Sequence, residues 1–116
     1  HDKDRPLVAS VLYNRINIGM ALQIDATVQY ILGKPGNWWP KDLSFEDLKT
    51  PSPYNTYQNS TLPPRPIANP GLAVLKAATN PANTDYLYYI SDSAGNNHYA
   101  TDLAGHNSNI EKYLER

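Results

Sequence analysis

The chain contains no cysteine, one methionine and one phenylalanine. Without cysteine there is no disulfide, no thiol nucleophile and no thiolate metal site. Charge is also scarce. Ten basic and eleven acidic residues make 18% charged residues and a net charge of −1. No basic run or stripe exists, so no nucleic-acid partner is expected. No apolar run approaches the ~20 residues of a membrane span, so this chain is expected to make no direct membrane contact. Also missing are a phosphate-cradling glycine loop, a G-x-S-x-G elbow, an H-E-x-x-H pair and a dinucleotide fingerprint. The histidines, His1, His98 and His106, are far apart and lack ligand spacing. No metal site is expected from them, and His98 and His106 read as structural groups bonded locally.

What remains is a 116-residue chain with 41% hydrophobic residues. That is the size of one globular domain spanning 1–116, able to bury a real though not a large core. The aromatic inventory is lopsided, with nine tyrosines and two tryptophans against one phenylalanine. A tyrosine has a flat apolar body and a polar tip. Many tyrosines suit either packing with wet hydroxyls or a neutral polar ligand such as a sugar, and composition alone favours the packing.

Residues 4–17 read as a helix, with Asp4 as cap, Pro6 in the first turn, Leu7, Val8, Val11, Leu12 and Ile16 at helical spacing, and Gly19 as the stop. MALQI (20–24) reads as extended, and Asp25 as the cap of a second helix that Gly33 ends. The segment 34–43 is a loop with Trp38 and Trp39 side by side. Ser44 opens a short helix, and Ser44 with Asp47 forms a variant capping box. Residues 70–80 form a helix, 85–101 a tyrosine-rich hairpin turning at Ser93-Ala94-Gly95-Asn96, and 102–116 a last helix capped by Asp102 with Ile110, Tyr113 and Leu114 inward. The expected class is α+β: several short helices, one β-hairpin and long ordered proline-rich loops.

The longest of those loops, SPYNTYQNSTLPPRPIANPG (52–71), has five prolines and one charge, Arg65. Its prolines forbid a helix, while Tyr54, Tyr57, Leu62 and Ile67 give it surface to pack. Long ordered loops in compact domains are usually functional. Within it, Asn55 and Thr56 of YNTY either hold the loop by bonds to its own backbone or, with Tyr54 and Tyr57, turn amide and hydroxyls into a groove. Gln23 and Asp25 alternate, so both are expected on one side of the extended stretch.

The order VASVLYNRINIGMALQIDATVQY, SPYNTY, LPPRPIANPGLAVLKAATNPA, YLYYISD, H-Y and a late HN resembles the YceG-like family of endolytic murein transglycosylases over nearly the whole chain. Ala26 stands where that family usually has proline, and Thr61 and Arg65 where it often has glycine. The resemblance implies a lytic cut between N-acetylmuramic acid and N-acetylglucosamine that closes a 1,6-anhydro ring without water. One acid/base carboxyl suffices for this, where hydrolases use a pair. It also implies that Gln23, Tyr54, Asn55, Thr56, Tyr57 and Asn69 contact substrate and that Asp25 assists electrostatically. Arg15, beside Asn14, could meet a peptide-stem or lactyl carboxylate, but an ion pair at the surface or with Asp25 is the favoured reading. The family's catalytic acid is a glutamate in a V-E-K-E-like segment before the first helix. The expectation is therefore a C-terminal portion of a catalytic domain that lacks that segment and is inactive alone. No cofactor is implied. The implied partners are peptidoglycan glycan strands and cell-wall synthesis proteins, at the extracytoplasmic face of a bacterial cell membrane to which the parent is anchored. One alternative is a non-catalytic glycan-binding module, and another a structural partner of the synthesis machinery. A pyridoxal-phosphate aminodeoxychorismate lyase is disfavoured, since Lys34, Lys41, Lys49 and Lys76 read as loop or exposed-face residues and no phosphate cup exists.

Overall fold

In the computed structural model, residues 2–114 are described, so His1 and the last two residues of the expected terminal helix lie outside the description. A 3-10 turn over Asp2–Asp4 leads into α1, Arg5–Asn17. It ends where expected: Gly19 adopts φ +73°, a conformation costly for any residue with a Cβ, and its N–H returns to the Ile16 carbonyl at 3.1 Å. Then follow α2, Asp25–Leu32, a 3-10 turn over Asp47–Lys49, and α3, Leu72–Thr79. β1, Tyr88–Ser91, β2, Asn97–Ala100, and α4, Leu103–Tyr113, complete the order. The class is α+β, as the sequence indicates.

The chain divides into two compact units, His1–Arg15 with Pro70–Arg116, and Ile16–Asn69. The first holds most of α1, all of α3, the hairpin and α4. The strands pair antiparallel from Tyr88↔Ala100 to Ser91↔Asn97. Asp92 folds the connection: its Oδ1 accepts from the N–H groups of Ala94 and Asn96, both at 2.9 Å, and Gly95 takes φ +84°. α4 packs on this hairpin. Asp102 caps it by accepting from Gly105 N–H at 2.7 Å, and Ile110, Tyr113 and Leu114 are half-buried as expected. α1 is tied to the segment before the hairpin. Asn14 donates to the carbonyls of Thr84 (2.8 Å) and Tyr86 (2.9 Å), and Ser10 and Thr84 share a hydroxyl bond at 2.7 Å. The apolar face expected of α1 is narrower than its spacing suggests, because Val11 is buried while Ile16 is exposed. α3 likewise buries only Ala77.

The second unit is built on α2 and the long loops. Val28 and Leu22 are its fully enclosed apolar side chains, beside the polar Thr27, Asn55 and Thr56. The variant capping box forms: Ser44 N–H meets Asp47 Oδ2 at 3.0 Å and Asp47 N–H meets Ser44 Oγ at 3.1 Å. It supports only one 3-10 turn, because Thr50-Pro51 follows at once.

Candidate active-site cleft residues

The second unit is organised around a buried polar latch. Asn55 is fully enclosed and every polar atom of its side chain is used. Its Nδ2 donates to the carbonyls of Leu48 (3.0 Å) and Thr50 (2.8 Å), and its Oδ1 accepts from Tyr57 N–H at 2.9 Å. Asn59 adds bonds from its own Nδ2 to the carbonyls of Ser52 (2.9 Å) and Asn55 (3.1 Å). A buried amide with all three partners is stable in place, and costly to disturb.

Thr56, also enclosed, joins this turn to the start of α2. Its Oγ1 accepts from Ile24 N–H at 2.7 Å and lies 2.9 Å from Thr27 Oγ1, while its carbonyl accepts from Gln23 N–H at 3.2 Å. Thr27 Oγ1 in turn donates to the Ile24 carbonyl at 2.7 Å and accepts from Thr56 N–H at 3.3 Å. Two stretches more than twenty residues apart in the chain are thus zipped together by neutral groups. Because Gln23 and Ile24 both bend their N–H groups toward Thr56, Gln23 takes φ +52°, the only non-glycine described residue with positive φ. That position favours glycine, so holding glutamine there stores local strain.

Three expectations change accordingly. Asp25 is not the cap of α2: Ile24 occupies the cap position without a side-chain bond, and Asp25 is the first helical residue. Its carboxylate is instead engaged by Tyr57, whose hydroxyl donates to Asp25 Oδ1 at 2.5 Å. Gln23 and Asp25 do not alternate along an extended strand, because the left-handed turn at Gln23 interrupts it. Asn55 and Thr56 are enclosed and saturated, so of the two roles left open for them the structure displays the loop-holding one. Their side chains position a surface on which Gln23 and Asp25 are exposed and Tyr57 half-exposed.

Tyr54, at the start of the turn, packs against Tyr30 of α2 with ring centroids 5.2 Å apart. Asn69 is exposed at the far end of the long loop and shares no hydrogen bond with the latch among the described residues. In the first unit, Arg15 is buried. Its Nε donates to the Leu87 carbonyl at 2.7 Å and its guanidinium lies over the Tyr88 ring at 5.1 Å. It is therefore not at the surface, where it was expected. Lys34, Lys41, Lys49 and Lys76 are all exposed, as expected. Thr27 was missed by sequence reasoning. Its signal is weak, a β-branched hydroxyl in a helix's first turn, and its partner lies 29 positions away.

The hairpin unit carries the titratable contacts. His98 Nε2 lies 2.8 Å from Asp92 Oδ2, and its ring stacks on Tyr113. That side-chain bond, with the backbone N–H groups of Asn96 and Ala94, holds the Asp92 carboxyl below its ordinary value. His106 is fixed by stacking on Tyr88, at 4.8 Å, rather than by the local hydrogen bond expected, and its Nδ1 is buried without a partner among the described residues. Burial, with the nearby Arg15 charge second, lowers its pKa. Tyr99 donates to Asp4 Oδ1 at 2.8 Å, and burial above all pushes it up to about 12, against an opposing bond from Asn97 and with the Asp4 carboxylate adding to the rise. Among the described residues no group of three or more histidine or acidic side chains is placed to hold a metal ion. No described helix is long and apolar enough to cross a membrane.

Comparison with known proteins agrees across the chain. A family model, that of the YceG-like family, matches residues 1–112. An endolytic murein transglycosylase of Bacillus subtilis (strain 168) is 46% identical over 112 residues, covering 96% of this chain. One from Streptococcus pneumoniae serotype 2 is 34% identical over 115 residues, covering 97%. The 2.6 Å crystal structure of a YceG-like protein from Listeria monocytogenes superposes with a TM-score of 0.84 at 42% identity, over 90% of this chain and 33% of that one. The chain spans 30% and 21% of the lengths of the two relatives. With these matches running over nearly every residue, the chain belongs to the YceG-like family.

Proposed function

We propose that this chain is the glycan-holding part of an endolytic murein transglycosylase, acting between N-acetylmuramic acid and N-acetylglucosamine with formation of a 1,6-anhydro end. The observation that carries the reading is the Tyr57–Asp25 pair, 2.5 Å apart, displayed beside exposed Gln23 on a rigid, neutral latch. Its support from outside is the name borne by the relatives from Bacillus and Streptococcus.

In this reading the proton donor is a carboxylic acid other than Asp25. Asp25 accepts from the Tyr57 hydroxyl through its Oδ1, a bond that holds its side chain in one orientation. The acid, the glutamate of the family's V-E-K-E-like segment, protonates the bridging oxygen as the bond to the muramic anomeric carbon breaks. The muramic 6-hydroxyl attacks that carbon and gives its proton to the same carboxylate. Asp25 then offsets the positive charge that develops at the anomeric carbon. Tyr57 fixes the carboxylate's orientation, while Gln23, Tyr54 and Asn69 offer hydrogen bonds to sugar hydroxyl and acetamido groups. Asn55 and Thr56 act at one remove, by holding that surface. The substrate places the action outside the cytoplasm, and cell-wall synthesis proteins are natural neighbours of such an enzyme.

Purified peptidoglycan digested by this chain and by a version extended upstream with the family's V-E-K-E-like segment tests the proposal. Mass spectrometry reads the loss of water that marks an anhydro end. The extended protein is expected to release anhydro products, and Asp25→Asn to lower that release about tenfold. Silence from the extended protein would overturn the lytic reading and leave a glycan-binding module.

A further inference from the structure

The second unit contains a cavity of about 540 Å³ lined by Tyr30, Trp38, Trp39, Tyr54, Ser52 and Ile67, among others. We propose that it is a saccharide subsite, one that stacks an N-acetylhexosamine ring of a glycan against the two indoles. The inference rests on the glycan reading above and adds a place where the chain would grip its strand.

Several features point to this occupant. The volume lies within the ~300–1,000 Å³ of small-ligand sites. None of its lining side chains is charged, so a phosphate, a nucleotide or an acidic peptide finds no counter-charge there. A hexosamine ring is neutral and presents a face of C–H groups to an aromatic plane, with hydroxyl and acetamido groups at its rim. The cavity answers both, with four aromatic rings and the hydroxyls of Tyr30, Tyr54 and Ser52. Trp38 and Trp39 are 62% and 47% exposed, so the rings are not spent on a core.

The platform is also rigid before any ligand arrives. Lys34 and Asn37 exchange backbone hydrogen bonds at 3.2 and 2.8 Å, closing the turn before the tryptophans, and Gln29 Nε2 holds the Pro40 carbonyl at 2.9 Å just after them. At Gly33 a Cβ would lie 2.4 Å from the Trp38 carbonyl oxygen, so only glycine lets the loop return this close to α2. A preorganised surface loses little entropy on binding. Finally, Tyr54 belongs to both places. It lines the cavity and begins the YNTY turn whose Tyr57 holds Asp25, which ties the cavity to the proposed cleft through one turn.

The chain has two tryptophans and both line the cavity, so intrinsic tryptophan emission reports on it alone. Titration with tetra-N-acetylchitotetraose, followed by emission and in parallel by calorimetry, is expected to give a saturable emission change at the calorimetric affinity. Trp38→Ala should weaken binding about fivefold, and Trp39→Phe, which keeps a ring, by less. Should Trp38→Ala fail to fold by circular dichroism, acrylamide quenching of the unaltered protein decides, since a stacked sugar must shield the indoles. Calorimetric binding with unchanged emission and quenching would overturn the subsite and leave the glycan reading intact. Absence of both signals would overturn the subsite too, with the glycan reading then resting on anhydro release alone. An emission change that follows protein concentration and not sugar would make the cavity a protein contact and overturn the proposal.

Discussion

The two units are held by different chemistry. The unit of residues 16–69 encloses amides and hydroxyls, Asn55, Thr56 and Thr27, whose bonds do not titrate. The unit of hairpin and α4 relies on ionisable side chains, Asp92 against His98, His106 against Tyr88 and Tyr99 against Asp4, and there Asp92, His106 and Tyr99 are shifted from their ordinary values. Under the proposed function, a surface that holds neutral sugar near an acid benefits from the first kind, since a neutral lattice keeps its geometry at any pH and adds no charge to bias the acid. The second kind suits a scaffold and carries a sensitivity to acid.

The largest effect that would break this contrast is at Asn55. Asn55→Ala leaves the Leu48 and Thr50 carbonyls and the Tyr57 N–H unpaired, a loss of about 3 kcal/mol or more in chemical denaturation. Activity of the extended protein should fall with it. Thr56→Val keeps the shape but strips Ile24 N–H of its acceptor, and should cost about 2 kcal/mol. Neither loss should vary with pH between 4 and 8, since the latch residues Asn55, Thr56 and Thr27 carry no titratable group.

The hairpin unit should behave otherwise. His106 has a folded pKa below its ordinary 6.5, so the unfolded chain binds its proton first and stability declines as pH falls below about 6.5. Asp92 is depressed below 3.8, so its contribution is full above that value and is lost as pH falls through the folded one. Circular dichroism melts across pH should show two steps of loss on acidification. His106→Phe should remove the first, and Asp92→Asn the second. Smallest of all is the exposed Lys49–Glu46 pair at 3.7 Å. Glu46→Gln should change stability by no more than ~0.5 kcal/mol in the same melts.

Much of the fold was legible because its signals are local. Asp102 caps α4, Ser44 and Asp47 bond reciprocally, Gly19 stops α1, and the hairpin turns where Ser93-Ala94-Gly95-Asn96 said it would. Each rests on residues within a few positions of one another. Of the candidate site residues, Asn69 stands apart from the others, exposed at the far end of the long loop. Gln23, Asp25 and the YNTY turn do come together, but no periodicity says that Thr56 Oγ1 takes the Ile24 N–H. That long-range bond bends Gln23 into a left-handed turn and leaves the cap position to Ile24. The tandem tryptophans stood out in the sequence. Their shared cavity with Tyr30 and Tyr54 did not, because it depends on the close return of the loop at Gly33.

The most direct test of the account is an amide-resolved NMR titration of this chain with soluble, peptide-free glycan fragments of peptidoglycan. The account predicts shifts confined to 23–30, 38–39, 52–58 and 67–69, with the amides of β1, β2 and α4 unmoved. Shifts centred on the hairpin and α4, with the latch silent, would contradict it.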